Sequence, residues 1–459
     1  MTMNPAPTTR SDDPSSTGDA AVTSTGPHVD EIVGVPTDPA STATSDADRL
    51  QWRRALAIGI VAYLISRLCV LAGAFVRASQ VVIDQRADGE PEDGALDSIS
   101  NVLTSWDGRW YLEVVRLGYP HRIPANITYD QTEARAAFFP MYPSAVRAFD
   151  FVLPGGDTIA ALTLNFVLGA VAVLLVGMLA RRVFSISIAA RSMVVFAMFP
   201  GSFVLSFAYS EALFIVLAAA CLLFLYDERW LLAGIAAALA TATRPNGVAI
   251  VLACVVAAAI AIKTKRQWMS LVSVLLAPIG FIAFQLYVDA TADESRAWFR
   301  VQSEAWSEGT SFGATAVQNT LGFLTSPLSS TSDALTVLSL AVLAVMAWAG
   351  WKRRLPLPWV AFSLVIVALM LIPETVTARP RFVFTAFPMF IAIAAWWPQP
   401  TRRSPSELSD AGTSLDDDPT DVMNDELSWQ RQSWIFTMML CGAGLAVLTN
   451  LYAVFGAIP

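Results

Sequence analysis

Runs of about 20 uncharged, apolar residues recur along this chain, separated by short turns that carry the charge. A run of that length is what an α-helix needs to cross the hydrocarbon core of a bilayer. Inside lipid every backbone polar group must be satisfied within the segment, so such runs are helical. Composition agrees: 55% of residues are apolar and 15% are charged, too apolar for a soluble protein. The expected class is therefore an all-α polytopic membrane protein, a bundle of about eleven transmembrane helices.

The spans fall roughly at 55–76, 159–180, 189–207, 211–226, 231–243, 247–262, 269–288, 333–351, 357–373, 381–397 and 434–456. Between 189 and 262, Pro200-Gly201 and Pro245 interrupt pieces shorter than a straight crossing needs, which predicts broken or re-entrant helices covered by protein. The 82-residue stretch 77–158 is a large first loop expected to hold short helices.

Charge sets the sidedness. With the N-terminus in the cytoplasm, five of six inner ends carry clustered Lys/Arg, as the positive-inside rule expects: Arg53-Arg54, Arg181-Arg182, Lys263-Thr264-Lys265-Arg266, Lys352-Arg353-Arg354 and Arg402-Arg403, the sixth being Asp227-Glu228-Arg229. Loop 77–158 holds twelve acids against seven arginines and falls outside. The expected location is the cell membrane, multi-pass, with a cytoplasmic N-terminus and an extracytoplasmic active site. Residues 1–49 are Ser/Thr/Pro/Asp-rich and are expected to be a disordered cytoplasmic tail, because they lack the apolar surface that offsets ordering entropy. Residues 399–433, with Asp416-Asp417-Asp418, are expected to be an acidic, disordered cytoplasmic linker ahead of the last helix, within 434–459. The net charge of −8 sits largely in tails and loops, and no nucleic-acid partner is implied. The four cysteines lie in apolar runs without metal spacing, and His28 and His121 have no ligand set around them.

The unusual polar residues gather on one face. The first outer loop brings Trp106, Asp107, Arg109, Trp110 and Tyr111 in Ser105-Trp106-Asp107-Gly108-Arg109-Trp110-Tyr111. Later outer turns bring Tyr209-Ser210-Glu211, then Arg244-Pro245-Asn246-Gly247, then Glu374 with Arg379 and Arg381. Loop 289–332 adds Arg296, Trp298, Arg300, Glu304 and Trp306. Ionisable groups near membrane depth are costly and tend to be functional. Arginine's planar fork suits a phosphate, a carboxylate suits deprotonation of an attacking hydroxyl, and aromatic rings suit a sugar face. The combination describes a site for a sugar–phosphate–lipid donor and a hydroxyl acceptor. Each residue also has a plainer reading: Asp107 as a helix cap, Trp106 and Trp110 as interfacial anchors, Glu211 as a cap, Arg244 as a snorkelling side chain, and Glu374 with Arg379 or Arg381 as an internal ion pair.

The order of motifs resembles the PIG-V-type mannosyltransferases of the GT-C class. The residues that carry the resemblance are Trp106-Asp107 with Tyr111, Gly118-Tyr119, Phe138-Phe139-Pro140-Met141-Tyr142-Pro143, Tyr209-Ser210-Glu211-Ala212-Leu213-Phe214, Thr243-Arg244-Pro245-Asn246-Gly247 and Arg381-Phe382-Val383-Phe384-Thr385-Ala386-Phe387-Pro388. It covers about residues 50–398. It departs where the family carries a histidine or another polar residue after Trp-Asp and this chain has Gly108-Arg109-Trp110, and where Phe382 replaces a common tyrosine. The resemblance implies a GT-C-like catalytic domain and inverting transfer of mannose from a polyprenyl-phosphate donor to a hydroxyl of a glycolipid, lipoglycan or protein. On the resemblance Asp107 would be the general base and Arg379 and Arg381 would hold the donor phosphate; the residue types on the outer face add Glu211 as a second catalytic carboxylate and Arg244 as a further phosphate ligand. Trp106, Arg109, Trp110, Tyr111, Tyr209, Asn246 and Glu374 would line the substrate site. No cofactor is required, and a divalent metal stays open. Two rival classes remain, a transporter or flippase of lipid-linked or anionic solutes and a non-catalytic glycolipid-binding membrane protein.

Overall fold

The structure is a computed structural model that describes residues 39–327, 329–374, 379–398 and 419–454. The chain divides into two units, Met1–Asp48 and Arg49–Pro459. The sequence expectation of disorder for the N-terminal tail and the acidic linker lies largely outside the described residues. Where it overlaps them, at 39–49 and 419–433, the chain is helical. Both stretches open with a proline, Pro39 and Pro419, at the helical position that tolerates one, and neither meets another Pro or Gly before its apolar run.

The helices are α1 (Pro39–Asp88), α2 (Ala95–Leu103), α3 (Asp107–Leu117), α4 (Met141–Asp150), α5 (Gly156–Val183), α6 (Ile186–Met198), α7 (Glu211–Tyr226), α8 (Trp230–Thr241), α9 (Val248–Lys265), α10 (Leu271–Leu276), α11 (Ile279–Ala292), α12 (Ala297–Ala305), α13 (Ala314–Thr325), α14 (Thr331–Arg353), α15 (Leu357–Leu371), α16 (Pro380–Thr385), α17 (Pro388–Trp396) and α18 (Pro419–Tyr452). Among the described residues there is no β-sheet, and the chain is an all-helical, multi-pass membrane protein.

Among the described residues six helical stretches are long and apolar enough to cross a membrane, and Ile186–Met198, Glu211–Tyr226, Trp230–Thr241 and Leu357–Leu371 are shorter apolar helices. The run expected at 381–397 is split into α16 and α17 by Pro388, which cannot donate to the helical ladder. Helix α1 runs on to Asp88 rather than ending at 76, so part of the expected first loop is helix. The rest of that loop forms α2, α3, a 3₁₀ turn at Thr132–Ala137 and α4.

The core of the bundle is built by α5 against α6 and α7, α7 against α8, α9 against α15, and α14 against α17. A second apolar cluster, with Trp110, Phe138, Phe139, Tyr142, Phe284 and Trp298, joins the loop helices α3, α4 and α12 to α11. Arg300 ties these loops together through Glu294, Glu304 at 2.9 Å and the Pro124 carbonyl at 3.1 Å. Hydrogen bonding to Glu294 raises the Arg300 pKa, and hydrogen bonding to Arg300 lowers that of Glu294.

One stretch of non-helical backbone matters for the site. After α6 the chain turns through a 3₁₀ segment, Pro200–Leu205, and an irregular turn before α7. Its polar groups are taken up by two side chains inside apolar runs. Arg67, 3% exposed, donates to the Ser202 carbonyl, Ser202 Oγ and Ser206 Oγ, each at 2.9 Å. Asn165, fully buried, donates to the Tyr209 carbonyl at 2.8 Å and to that of Phe207. This is how irregular backbone survives at membrane depth. Gly201 lets the segment lie against α16, where a Cβ would strike the Pro380 backbone.

Candidate active site

Four charged side chains from four separate parts of the chain form one continuous cluster. Asp107 is the first residue of α3, and its carboxylate Oδ2 accepts from Arg381 Nη2 at 2.7 Å. Arg381 lies on α16, and its Nε is 3.6 Å from Glu211 Oε1, at the first residue of α7. The same Glu211 oxygen is 2.8 Å from Arg244 Nη1, just before the 3₁₀ turn Pro245–Gly247. Both carboxylates stand at helix N-termini, where the macrodipole favours negative charge. Arg244 is extended, with φ −168° and ψ 161°, as a residue before proline is driven to be.

The members differ in access. The Glu211 side chain is 1% exposed, Arg244 9% and Arg381 13%, while Asp107 is 28% exposed. Asp107 is therefore the carboxylate with an open approach. Glu211 Oε1, Arg244 Nε and Nη1, and Arg381 Nε are buried without a hydrogen bond of acceptable geometry. The Glu211 contacts are thus ion-pair distances without hydrogen-bond angles, and guanidinium donors remain to be satisfied. Buried polar groups are rarely left in this condition, and among the described residues no further protein group completes them.

A tyrosine shell holds Arg381. Its guanidinium carbon lies 5.4 Å from the Tyr209 ring centroid and 5.8 Å from that of Tyr452, and Nη1 donates to the Tyr452 hydroxyl. Tyr209 donates to the Ser105 carbonyl at 2.9 Å, and Tyr111 to Ser210 Oγ at 2.7 Å. Burial pushes the Tyr111 and Tyr209 hydroxyls well above their ordinary range, so both stay neutral donors. Trp106 joins the last helix to the loop, its Nε1 donating to the Tyr452 carbonyl at 2.7 Å. Its backbone has φ 57° and ψ −118°, a conformation that non-glycine residues rarely adopt, immediately before Asp107.

The remaining sequence candidates lie elsewhere or play other parts. No side chain caps α3, and the Asp107 carboxylate goes to Arg381 instead of serving as a helix cap. Arg244 turns inward to Glu211 and does not snorkel. Arg379 is buried but points away, donating to the Ser332 carbonyl at 3.0 Å and Ser332 Oγ at 2.7 Å. Glu374 is exposed and pairs with neither arginine among the described residues; its backbone N–H donates to the Gly309 carbonyl. Asn246 is half-buried within the 3₁₀ turn. Arg109 points outward and pairs with Glu113 at 3.1 Å. Trp110, expected to anchor at the interface or stack on a sugar, is 1% exposed, its ring enclosed by Tyr129, Phe138 and Trp306. That burial, among loop-core rings, leaves the Trp110 ring without an open face for a sugar.

Sequence reasoning passed over three contributors. Arg67 and Asn165 were visible as polar residues within apolar runs, a signal of cost and purpose in lipid. Tyr452 was visible only as the end of the last span. Among the described residues no group of three or more His, Cys, Asp or Glu side chains is gathered in metal-binding fashion.

No protein-family model matches the chain, and no curated protein is similar to it in sequence. Among solved structures it is similar to ArnT from Cupriavidus metallidurans in the apo state, at a TM-score of 0.44 and 14% identity over 76% of this chain and 70% of that one. The same protein bound to undecaprenyl phosphate gives 0.43 and 14% over 75% and 70%. The Archaeoglobus fulgidus oligosaccharyltransferase tethered with an acceptor peptide gives 0.40 and 13%, over 88% of this chain and 56% of that chain. Likenesses of this degree assign no residue and no activity to the present chain.

Proposed function

We propose that this protein is a membrane glycosyltransferase that moves a sugar, mannose on the motif resemblance, from a polyprenyl-phosphate donor to a hydroxyl acceptor with inversion at the anomeric carbon. The observation that carries this is the cluster Asp107–Arg381–Glu211–Arg244, with one open carboxylate beside arginines that hold unsatisfied donors.

The roles follow from access and charge. The donor phosphodiester would take the free guanidinium donors of Arg244 and Arg381, and Glu211, too buried to meet an acceptor, would position both arginines. The acceptor hydroxyl attacks the anomeric carbon as the bond to the phosphate oxygen breaks. Asp107 takes the hydroxyl proton, and the departing lipid phosphate keeps its electron pair as charge on oxygen, stabilised by the arginines. The leaving group is already an anion, so no general acid is needed. Without donor, Arg381 Nη2 donates to Asp107 Oδ2. A phosphate that draws Arg381 toward itself would free Asp107 Oδ2 to meet the acceptor hydroxyl, coupling donor binding to acceptor engagement. On this reading the cluster faces the extracytoplasmic side, opposite the basic ends that the positive-inside rule places in the cytoplasm.

The test is an in-membrane assay with radiolabelled polyprenyl-phosphate-mannose and candidate glycolipid, lipoglycan and protein acceptors. Label appearing in an acceptor and dependent on Arg244 and Arg381 supports the reading. Translocation of the labelled lipid without transfer to any of these acceptors would replace it with a transporter.

A further inference from the structure

At the end of the bundle away from the Asp107 cluster lies a groove of about 350 Å³ between α1 around Arg54, the start of α6 and α18 at Trp434. Its position follows from chain direction: α1 runs from Arg54 toward the loop that carries Asp107, α6 runs from Ile186 toward Pro200, and α18 runs from Trp434 toward Tyr452. The volume falls within the range of ligand pockets, about 300–1,000 Å³.

The groove combines two features that rarely meet. Its walls, including Ile58, Ala190, Val194 and Trp434, are apolar, and they continue outward into exposed Val61, Ile435, Phe436 and Met439. Two arginines, Arg54 and Arg191, also line it, and among the described residues neither pairs with a carboxylate. Arg191 Nη1 is buried there without a hydrogen bond. Two cations that no described carboxylate neutralises, at the margin of an apolar surface, match a ligand with an anionic head and a hydrocarbon body. A soluble anion would leave the apolar walls uncovered, and a neutral lipid would leave the guanidinium groups unmet.

We infer that this groove binds an anionic glycerophospholipid, its phosphate between Arg54 and Arg191 and an acyl chain along Ile58, Ala190 and Val194. The site is separate from the charged cluster and does not depend on the reaction assigned to it.

The experiment is native mass spectrometry of the full-length protein from detergent holding equal phosphatidylglycerol and phosphatidylcholine. The wild type retains phosphatidylglycerol in preference. An arginine near an anionic headgroup contributes about 1 kcal/mol, so Arg54→Gln lowers the preference about fivefold and Arg54→Gln with Arg191→Gln about thirtyfold. Arg54 is an exposed side chain, so the single variant reports on the site without endangering the fold. The pair Arg54→Lys with Arg191→Lys keeps the charge and retains most of the preference. A wild-type ratio in the double Gln variant overturns the inference. So does equal retention of both lipids by the wild type, the result expected if the chain's own Asp416-Asp417-Asp418 stretch occupies the groove.

Discussion

Removing the Glu211 carboxylate tests whether the buried charges act as a unit. Glu211 is 1% exposed and faces two guanidinium groups, Arg244 at 2.8 Å and Arg381 at 3.6 Å. Glu211→Gln keeps the shape and deletes the charge. Arg244, 9% exposed, then has no close carboxylate, whereas Arg381 keeps Asp107 at 2.7 Å. Removing one partner of a buried pair costs about 3–5 kcal/mol, because an uncompensated charge stays behind. That is a large part of a typical stability of about 5–15 kcal/mol. Replacing both members, Glu211→Gln with Arg244→Met, removes the stranded charge as well. The double variant should therefore be more stable than the sum of single losses predicts, with a coupling in the range of about 0.5–3 kcal/mol seen for residues in contact. The assay is unfolding in mixed micelles by titration with a denaturing detergent, run on wild type, both single variants and the double variant. Additivity within about 0.5 kcal/mol, or a Glu211→Gln protein as stable as wild type, would refute the claim that these residues form one buried network.

Other outcomes follow from particular contacts. Arg67→Leu should strand the Ser202 carbonyl and the Ser206 hydroxyl at about 1–3 kcal/mol each, and hydrogen exchange should rise across 200–210 before it rises elsewhere. Gly201→Ala should force the segment away from Pro380, cost about 1–3 kcal/mol in thermal unfolding and lower transfer by displacing Arg381. Trp110→Ala should cost about 3–5 kcal/mol of stability, while Trp110→Phe should fold with an unchanged KM for donor; a KM rise in a fully folded Trp110→Phe protein would return the ring to the substrate site.

The helical class was legible because lipid leaves so little choice: uncharged runs read as helices wherever they occur. Their lengths were less legible. Pro200 and Pro388 mark breaks, but which side chains would accept the freed backbone depends on contacts as remote as Arg67 with Ser202. The charged cluster was partly legible because lipid makes ionisable residues conspicuous, and Asp107, Glu211, Arg244 and Arg381 all stood out at the ends of runs. Their partners were not. Arg379 and Arg381 look alike in sequence, two residues apart, yet Arg379 sits on extended backbone before α16 and reaches Ser332, while Arg381 sits on the helix and reaches Asp107. A tryptophan beside a charged motif looks the same in sequence whether its ring faces a ligand or a loop core, and the structure sets Trp110 in the loop core.

The central claim is that Asp107 is the base of a glycosyl transfer carried out beside Arg244 and Arg381. Asp107→Asn keeps the size of the side chain and removes its capacity to take a proton. Binding of labelled polyprenyl-phosphate-mannose and its transfer to acceptor should be measured on the same membranes. The account predicts donor binding at or above the wild-type level, because Arg381 is released toward the phosphate, with transfer slowed about 10²–10⁴-fold. Transfer at the wild-type rate by Asp107→Asn would contradict it.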